Sequence, residues 1–171
     1  MPVLSLQVNS PLGPLTLIEK NDAIVALDWG PTKSFLGTPL LQAAAQQLHQ
    51  YFAGERKVFD LPIAPVCTTL QQDVFAAMCD IPFGETRTYG DLAKALDCPA
   101  QTIGQVCGEN AVPILIPCHR VVGADGALTG YSWGKGVETK RFLLQLEGAL
   151  PPELDLTFPD GSRPGTADAQ S

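Results

Sequence analysis

The sequence has no apolar run approaching the ~20 residues that a membrane helix needs, so no membrane partner is expected. Its first residues, "MPVLSLQVNSPLG", show no basic stretch followed by an apolar one, so no secretory signal is expected and the location is read as cytoplasmic. No two of the five cysteines stand at C-x-x-C spacing, and only His49 and His119 could add imidazole ligands. No metal site is expected from that set. An odd cysteine count without an export signal also argues against a disulfide framework. Positive charge is scarce, 11 Lys and Arg against 18 Asp and Glu, for a net charge of −7. Composition alone therefore argues against nucleic acid, whose phosphates are met by Lys and Arg. Part of the acidity is peripheral. From Ala149 onward Glu153, Asp155, Asp160 and Asp168 face only Arg163, so the body carries about −4 of the total −7. No internal repeat is present.

What is there suits one globular unit or two small ones: 171 residues, 45% hydrophobic and 17% charged. "LSLQVNSPLGPLTLIEKNDAIVALDWG" reads as β-structure broken by the turn sequences "SPLGP" and "KND". Leu40 to Phe52 reads as a helix with Leu41, Ala44, Ala45, Leu48 and Phe52 on one face and Gly54 as its stop. His49 falls on it as a partly exposed histidine. "FDLPIAPVC", 59 to 67, is an extended connector, and the domain boundary is placed there. "TTLQQDVFAAMCDI" reads as a helix capped by Thr68 or Thr69, with Leu70, Val74, Phe75 and Met78 inward. "YGDLAKALD" and "TIGQVCGEN", joined by the turn "CPAQ", form a helix-turn-helix candidate. "KGVETKRFLLQLEG" reads as a last helix with Val137, Phe142, Leu143 and Leu146 inward. The fold class is α+β: an N-terminal β-sheet unit with a helix over 1–65, and a mostly helical unit over 66–150 with the helix-turn-helix. An acidic Pro- and Gly-rich tail, 151–171, is expected to be disordered.

"ILIPCHRVVG" raises the chemical question. A thiol is a poor nucleophile until it loses its proton, and a nearby imidazole held by a carboxylate can take it. On a strand Cys118 and His119 would point to opposite faces, so their contact needs a bend or a bridging water. The pair alone leaves open a core thiol beside a segment-end histidine. The surroundings narrow this. "YFAGERKVFDLPIAP", "IPFGETRTYGDLAKAL", "NAVPILIPCHRVVG", "GYSWG" and "KRFLLQLEG" resemble, in order and spacing, the O6-alkylguanine-DNA alkyltransferases of bacterial type.

That resemblance implies a suicide methylated-DNA–protein-cysteine methyltransferase. It would take an alkyl group from O6 of a flipped guanine, with no cofactor, and act as a monomer on duplex or single-stranded DNA through minor-groove contact of the helix-turn-helix. It implies Cys118 as nucleophile, His119 as base through a water, and Glu147 as the group holding His119. It implies Asn110 as a brace of the turn before the active-site strand and Tyr89 as a donor to the guanine. Tyr131, the Ser132 N–H, the Val121 backbone and Trp133 would form the base pocket, and Cys107 either lines the alkyl side or packs as a small apolar residue. Gln101, Thr102, Gln105 and Thr88 would face DNA.

Each residue has a plainer alternative: a solvent-facing Glu147, a capping Asn110, a ring-packing Tyr89, an ordinary Gly-flanked aromatic turn over 129–134. The chain also departs from the family. Gln101 stands where an arginine normally enters the duplex, and Gly108 where a second base is common. Between Tyr89 and Asn110 the only base is Lys94, against Asp91, Asp97 and Glu109. A damage sensor or DNA-binding adaptor without repair is the alternative function. A cysteine hydrolase is a third, which the helix-turn-helix does not explain.

Overall fold

The two hairpin turns read from the sequence form by their own local chemistry. In the computed structural model, which describes residues 3–33, 37–129, 131 and 133–151, β1 (Leu4–Ser10), β2 (Gly13–Lys20) and β3 (Ala23–Trp29) make an antiparallel sheet in that order. The Ser10 hydroxyl donates to the Gly13 carbonyl at 2.7 Å and accepts from the Leu12 N–H at 3.1 Å. Asn21 and Asp22 carry φ of 52° and 61°, the left-handed pair that a two-residue hairpin needs. Leu6, Val8, Leu15, Leu17, Ile24 and Leu27 form the sheet's buried share of the core.

α1 (Pro39–Phe52) packs against β1 and β2. Thr38 caps it by accepting from the Leu41 N–H, and Leu41, Ala44, Leu48 and Tyr51 are its buried residues. Ala45 and Phe52, expected on that face, are only half-buried, and the stripe ends on Tyr51 instead. His49 is exposed, as read. The extended connector has a structural purpose. Ile24 donates to Pro62 O at 2.8 Å and Ala64 donates to Ile24 O at 2.9 Å, so the connector covers the open edge of β3.

α2 (Thr69–Cys79) begins with a full capping box between Thr68 and Gln71. Val74, Phe75 and Met78 are buried, but Leu70, expected among them, is 45% exposed in the first turn. α3 (Tyr89–Leu96) carries a second capping box, Thr88 with Asp91, and ends at Asp97 in the left-handed region. α4 (Ala100–Gly108) starts two residues earlier than the sequence suggested. Pro99 is its N-cap in extended backbone, so Ala100 and Gln101 lie in the first turn rather than in the connecting loop. The short strands β4 (Arg87–Thr88) and β5 (Val121–Val122) pair in parallel and fix the start of α3 beside the Cys118 segment.

α5 (Val137–Leu146) closes the second unit with a different face inward from the one expected. Val137 is 37% exposed, Phe142 and Leu146 are half-buried, and Thr139, Lys140, Leu143 and Leu144 are buried. One core cluster runs from Leu6 through Tyr51 and Ile103 to Leu143, so the sheet unit and the helical unit share apolar packing. The α+β class stands as read. Ser132 and the tail from residue 152 lie outside the described residues.

Candidate active site

The segment before Cys118 is folded back on itself by one side chain. Fully buried Asn110 accepts from the Val112 N–H at 2.9 Å and donates from Nδ2 to the Ile116 carbonyl at 2.9 Å. Ile116 N also bonds Val112 O at 2.9 Å. The loop so closed holds Ile114 at φ 75°, a costly conformation for a β-branched residue that persists only where its surroundings dictate it. Asn110 follows the C-cap of α4, which is Glu109, so it braces this loop rather than capping the helix.

Cys118 does not sit on a strand. Cys118–Arg120 form one turn of 3₁₀ helix after Pro117, and all three side chains are buried. This corrects the expected active-site strand. The alternation argument fails here because the backbone turns at Pro117, so adjacent side chains need not diverge.

His119 is fully buried, and its Nε2 meets Glu147 Oε2 at 2.7 Å. Glu147, the C-cap of α5, is 4% exposed and gathers three more donors. Arg120 Nε reaches Oε1 at 2.8 Å, Arg120 Nη2 reaches Oε2 at 3.1 Å, and the Tyr51 hydroxyl reaches Oε2 at 2.6 Å. Arg120 is both an ion-pair partner and a brace, since Nη1 also donates to Ile81 O at 2.7 Å. Burial alone would raise the Glu147 carboxyl, but the His119 and Arg120 contacts outweigh it and hold the group at about 2. The carboxylate is therefore charged at neutral pH, and the proton of a neutral His119 belongs on Nε2. Nδ1 is then a bare acceptor, and it is buried without a hydrogen-bond partner among the described residues. Burial pulls His119 below its ordinary value despite Glu147, so the imidazole is neutral at pH 7.

The Cys118 thiol is 3% exposed and pushed up to about 11 by burial, against the opposing pull of the Asn110 amide and then the Lys140 ammonium. At pH 7 only about one thiol in 10⁴ is ionised at such a value, so the resting cysteine is inert without a base. Cys107 lies on the same side, buried and pushed up to about 12 by its own burial and by Cys118.

Around this centre the other expected residues fall as follows. Tyr89, half-buried at the start of α3, donates to Thr129 O at 3.0 Å. Tyr131 is 7% exposed, with a buried hydroxyl that has no hydrogen-bond partner among the described residues. Trp133 stacks on Trp29 of β3, ring centroids 6.4 Å apart. The Val121 carbonyl takes Lys140 Nζ at 2.6 Å. Gln101 and Gln105 are exposed on α4, Thr102 is half-covered between them, and the Thr88 hydroxyl is engaged as the α3 cap.

Three residues at the site carried no expectation. Lys140 Nζ, buried from α5, donates to Val121 O, to Thr129 O at 2.8 Å and toward Tyr89 Oη at 3.5 Å, joining three pieces of the pocket wall. Its signal was present in the sequence: Lys140, Leu143, Leu144 and Glu147 stand at i, i+3, i+4 and i+7, the true buried stripe of the last helix. Tyr51 lies on the α1 stripe at 41, 44, 48 and 51, which marks burial but not its partner. Trp29 ends β3 with nothing in the sequence to point at Trp133.

Comparison with known proteins agrees with this geometry. Residues 69–149 match the family model for the 6-O-methylguanine DNA methyltransferase DNA binding domain, and residues 6–65 match that for the ribonuclease-like domain of the same proteins. A constitutive methylated-DNA–protein-cysteine methyltransferase of Bacillus subtilis is 44% identical over 151 residues, covering 81% of this chain and 91% of its own. A Mycobacterium tuberculosis methylated-DNA–protein-cysteine methyltransferase is 40% identical over 163 residues, 90% of this chain and 96% of its own. The crystal structure of M. tuberculosis O6-methylguanine methyltransferase superposes with a TM-score of 0.75 at 38% identity, covering 90% of this chain and 97% of that one. A structure of the M. tuberculosis protein in complex with DNA gives the same TM-score at 39% identity, over 85% of this chain and 92% of that one. With a buried Cys-His-Glu centre behind a helix-turn-helix and these relatives over most of its length, the chain belongs to the 6-O-methylguanine DNA methyltransferase family.

Proposed function

We propose that Cys118 is the atom-accepting end of a single-turnover DNA repair reaction, in which the alkyl group on O6 of guanine moves to the Cys118 sulfur. The protein is a methylated-DNA–protein-cysteine methyltransferase and alkylated DNA is its substrate. One observation carries the residue assignment. His119 is clamped by a charged carboxylate on Nε2 and bare on Nδ1, next to a thiol too weakly acidic to act alone.

The reaction then runs as follows. A water between Nδ1 and the thiol passes the Cys118 proton to His119. The resulting imidazolium is balanced by Glu147, whose own charge is shared with Arg120. The thiolate attacks the alkyl carbon in line with its bond to O6. That bond breaks, its electron pair stays on the guanine, and the base leaves as an anion that takes up a proton. Tyr89 supplies the hydrogen bond on that side, and its hydroxyl must leave Thr129 O to do so. Lys140 holds the Thr129 and Val121 carbonyls in place and favours the thiolate electrostatically. Asn110 fixes the loop that presents Cys118. Val121, Tyr131, Ser132, Trp133 and Cys107 are assigned to the base and alkyl pocket, and Glu147 and Asn110 are positioning residues. The thioether is stable, so each chain acts once.

We assign DNA contact to Gln101, Thr102, Gln105 and Thr88, with Gln101 in the place of an inserting arginine. Glutamine has no charge and no guanidinium plane, so it fills the space of a flipped base less well. Binding to duplex is accordingly weak and less salt-sensitive, and single strands or free O6-alkylguanine react comparatively well. The sheet unit (1–65) and the acceptor unit (66–150) remain our division of the chain, and the cytoplasm our assigned location. No helix of the described residues is long and apolar enough to cross a membrane.

Incubation with a duplex carrying O6-methylguanine tests the reading. One guanine restored per protein molecule, with no further turnover, is expected. Sustained turnover, or tight binding that leaves the lesion intact, would overturn it in favour of a hydrolase or a sensor.

A further inference from the structure

Tyr51 lies 96 positions before Glu147 and on the other unit, yet it ends on the reaction centre. Its ring is 1% exposed and is surrounded by Phe52 and Phe59, centroids 5.3 Å away, and Phe83 at 6.3 Å. A phenylalanine would satisfy that packing. What the packing does not need is the hydroxyl, and the hydroxyl goes to Glu147 Oε2, the oxygen that also meets His119 Nε2. A buried polar group that apolar neighbours do not require, placed on the carboxylate that orients the base, points to a chemical purpose.

The charges around His119 define that purpose. Glu147 faces it from the end of α5, Arg120 from its own 3₁₀ turn, Lys140 from the body of α5, and Cys118 adjoins it. The three phenols of this neighbourhood are Tyr51 on Glu147, Tyr131, which interacts with Tyr51 and Cys118, and Tyr89, which interacts with Cys118 and Lys140. Arg120 already neutralises the Glu147 charge. Tyr51 adds a neutral donor, which draws electron density from Oε2 without adding charge. Less of that density is then left to stabilise a protonated His119. Without the hydroxyl, Oε2 would pull harder on the imidazolium, and His119 would hold its proton to higher pH.

We propose that Tyr51 is a positioning residue of the alkyl-transfer reaction: by sharing Glu147 Oε2 with His119, the N-terminal unit sets the pH below which the base stops working. The proposal rests on reading His119 as the base. It makes the sheet-and-helix unit a contributor to the chemistry rather than only a support.

The test is Tyr51→Phe in the full-length protein, with two readouts. The chain has two histidines, so the His119 titration is followed by ¹H–¹⁵N NMR with its signals assigned against the His119→Phe variant. The second readout is the pH profile of Cys118 alkylation by O6-methylguanine duplex. Both the His119 midpoint and the acid limb of the rate are expected to rise by about 0.5–1 pH unit, and the rate on the alkaline plateau to change by less than about threefold. A fluorinated tyrosine at position 51, a stronger donor of nearly the same shape, is expected to move both in the opposite direction. If Tyr51→Phe does not fold, the fluorinated variant alone decides by that shift. Unmoved midpoints in the folded variants would overturn the proposal. Failure of the base assignment reads differently: the rate would not follow the His119 titration even in the wild type, while the NMR midpoint would still report on Tyr51.

Discussion

Replacing Glu147 by glutamine keeps the shape of the side chain and removes the charge on which His119, Arg120 and Tyr51 converge. The carboxyl stands at about 2 in the fold, against 4.5 for an ordinary glutamate. That gap of roughly 2.5 units corresponds to about 3 kcal/mol of stability at neutral pH. The side chain is fully buried, so no discount for solvent screening applies. A second route gives a similar figure. The variant leaves the Arg120 guanidinium, 7% exposed, without its counter-charge, and breaking a buried pair costs about 3–5 kcal/mol. For a chain of this length the melting temperature should fall by about 6–12 °C at pH 7. The sign with pH is fixed by the downward shift. The contribution is fully present above the unfolded value and is lost as pH falls from about 4.5 toward 2. Thermal melts of wild type and Glu147→Gln at pH 7 and pH 3 measure both, and the difference should shrink by roughly half or more at pH 3. Adding Arg120→Met to the variant should return part of the loss, because the two groups are coupled. Equal melting at pH 7, or a gap that stays constant down to pH 3, would refute the electrostatic reasoning.

Lys140→Met removes the cation that ties Val121 and Thr129 and favours the thiolate. Alkyl transfer should slow by about tenfold or more at pH 7, with the profile shifted to higher pH, as stopped-time alkylation assays would show. Gln101→Arg should raise the duplex rate and steepen the dependence of log K on log salt by about one. In the wild type, by contrast, duplex should hold little advantage over single strands. Trp29→Ala breaks a stack worth about 1 kcal/mol and frees the loop at Gly134, where an added Cβ would lie 2.7 Å from the Trp29 Nε1. Alkylation should slow by about fivefold, and Trp133, then the single tryptophan, should report the looser loop by its fluorescence.

How much of this could be read from the residues differs by element. The hairpin turns, a cap at Thr68 or Thr69 and the connector were legible because Asn, Asp, Thr and Pro act on their own backbone, whereas the Thr88 cap was not read. Cys118, His119 and Glu147 could be named together only through the family resemblance, because no spacing shows that residues 28 apart meet at 2.7 Å. The expected strand at Cys118 failed for a local reason, the turn imposed after Pro117 and the loop that Asn110 closes. Lys140 was missed because lysine reads as a surface residue, and its burial depends on two carbonyls that only the folded chain places within reach. Tyr51 and Trp29 were missed for the same reason at longer range. Their partners lie on the other unit.

The account stands or falls on where the alkyl group ends. Intact mass and peptide mapping after reaction with an O6-methylguanine duplex measure it directly. The account predicts one methyl group per chain, on Cys118, absent in Cys118→Ala and strongly slowed in His119→Phe. A methyl group on Cys107 or another cysteine instead, or no adduct on a protein that repairs the lesion, would contradict it.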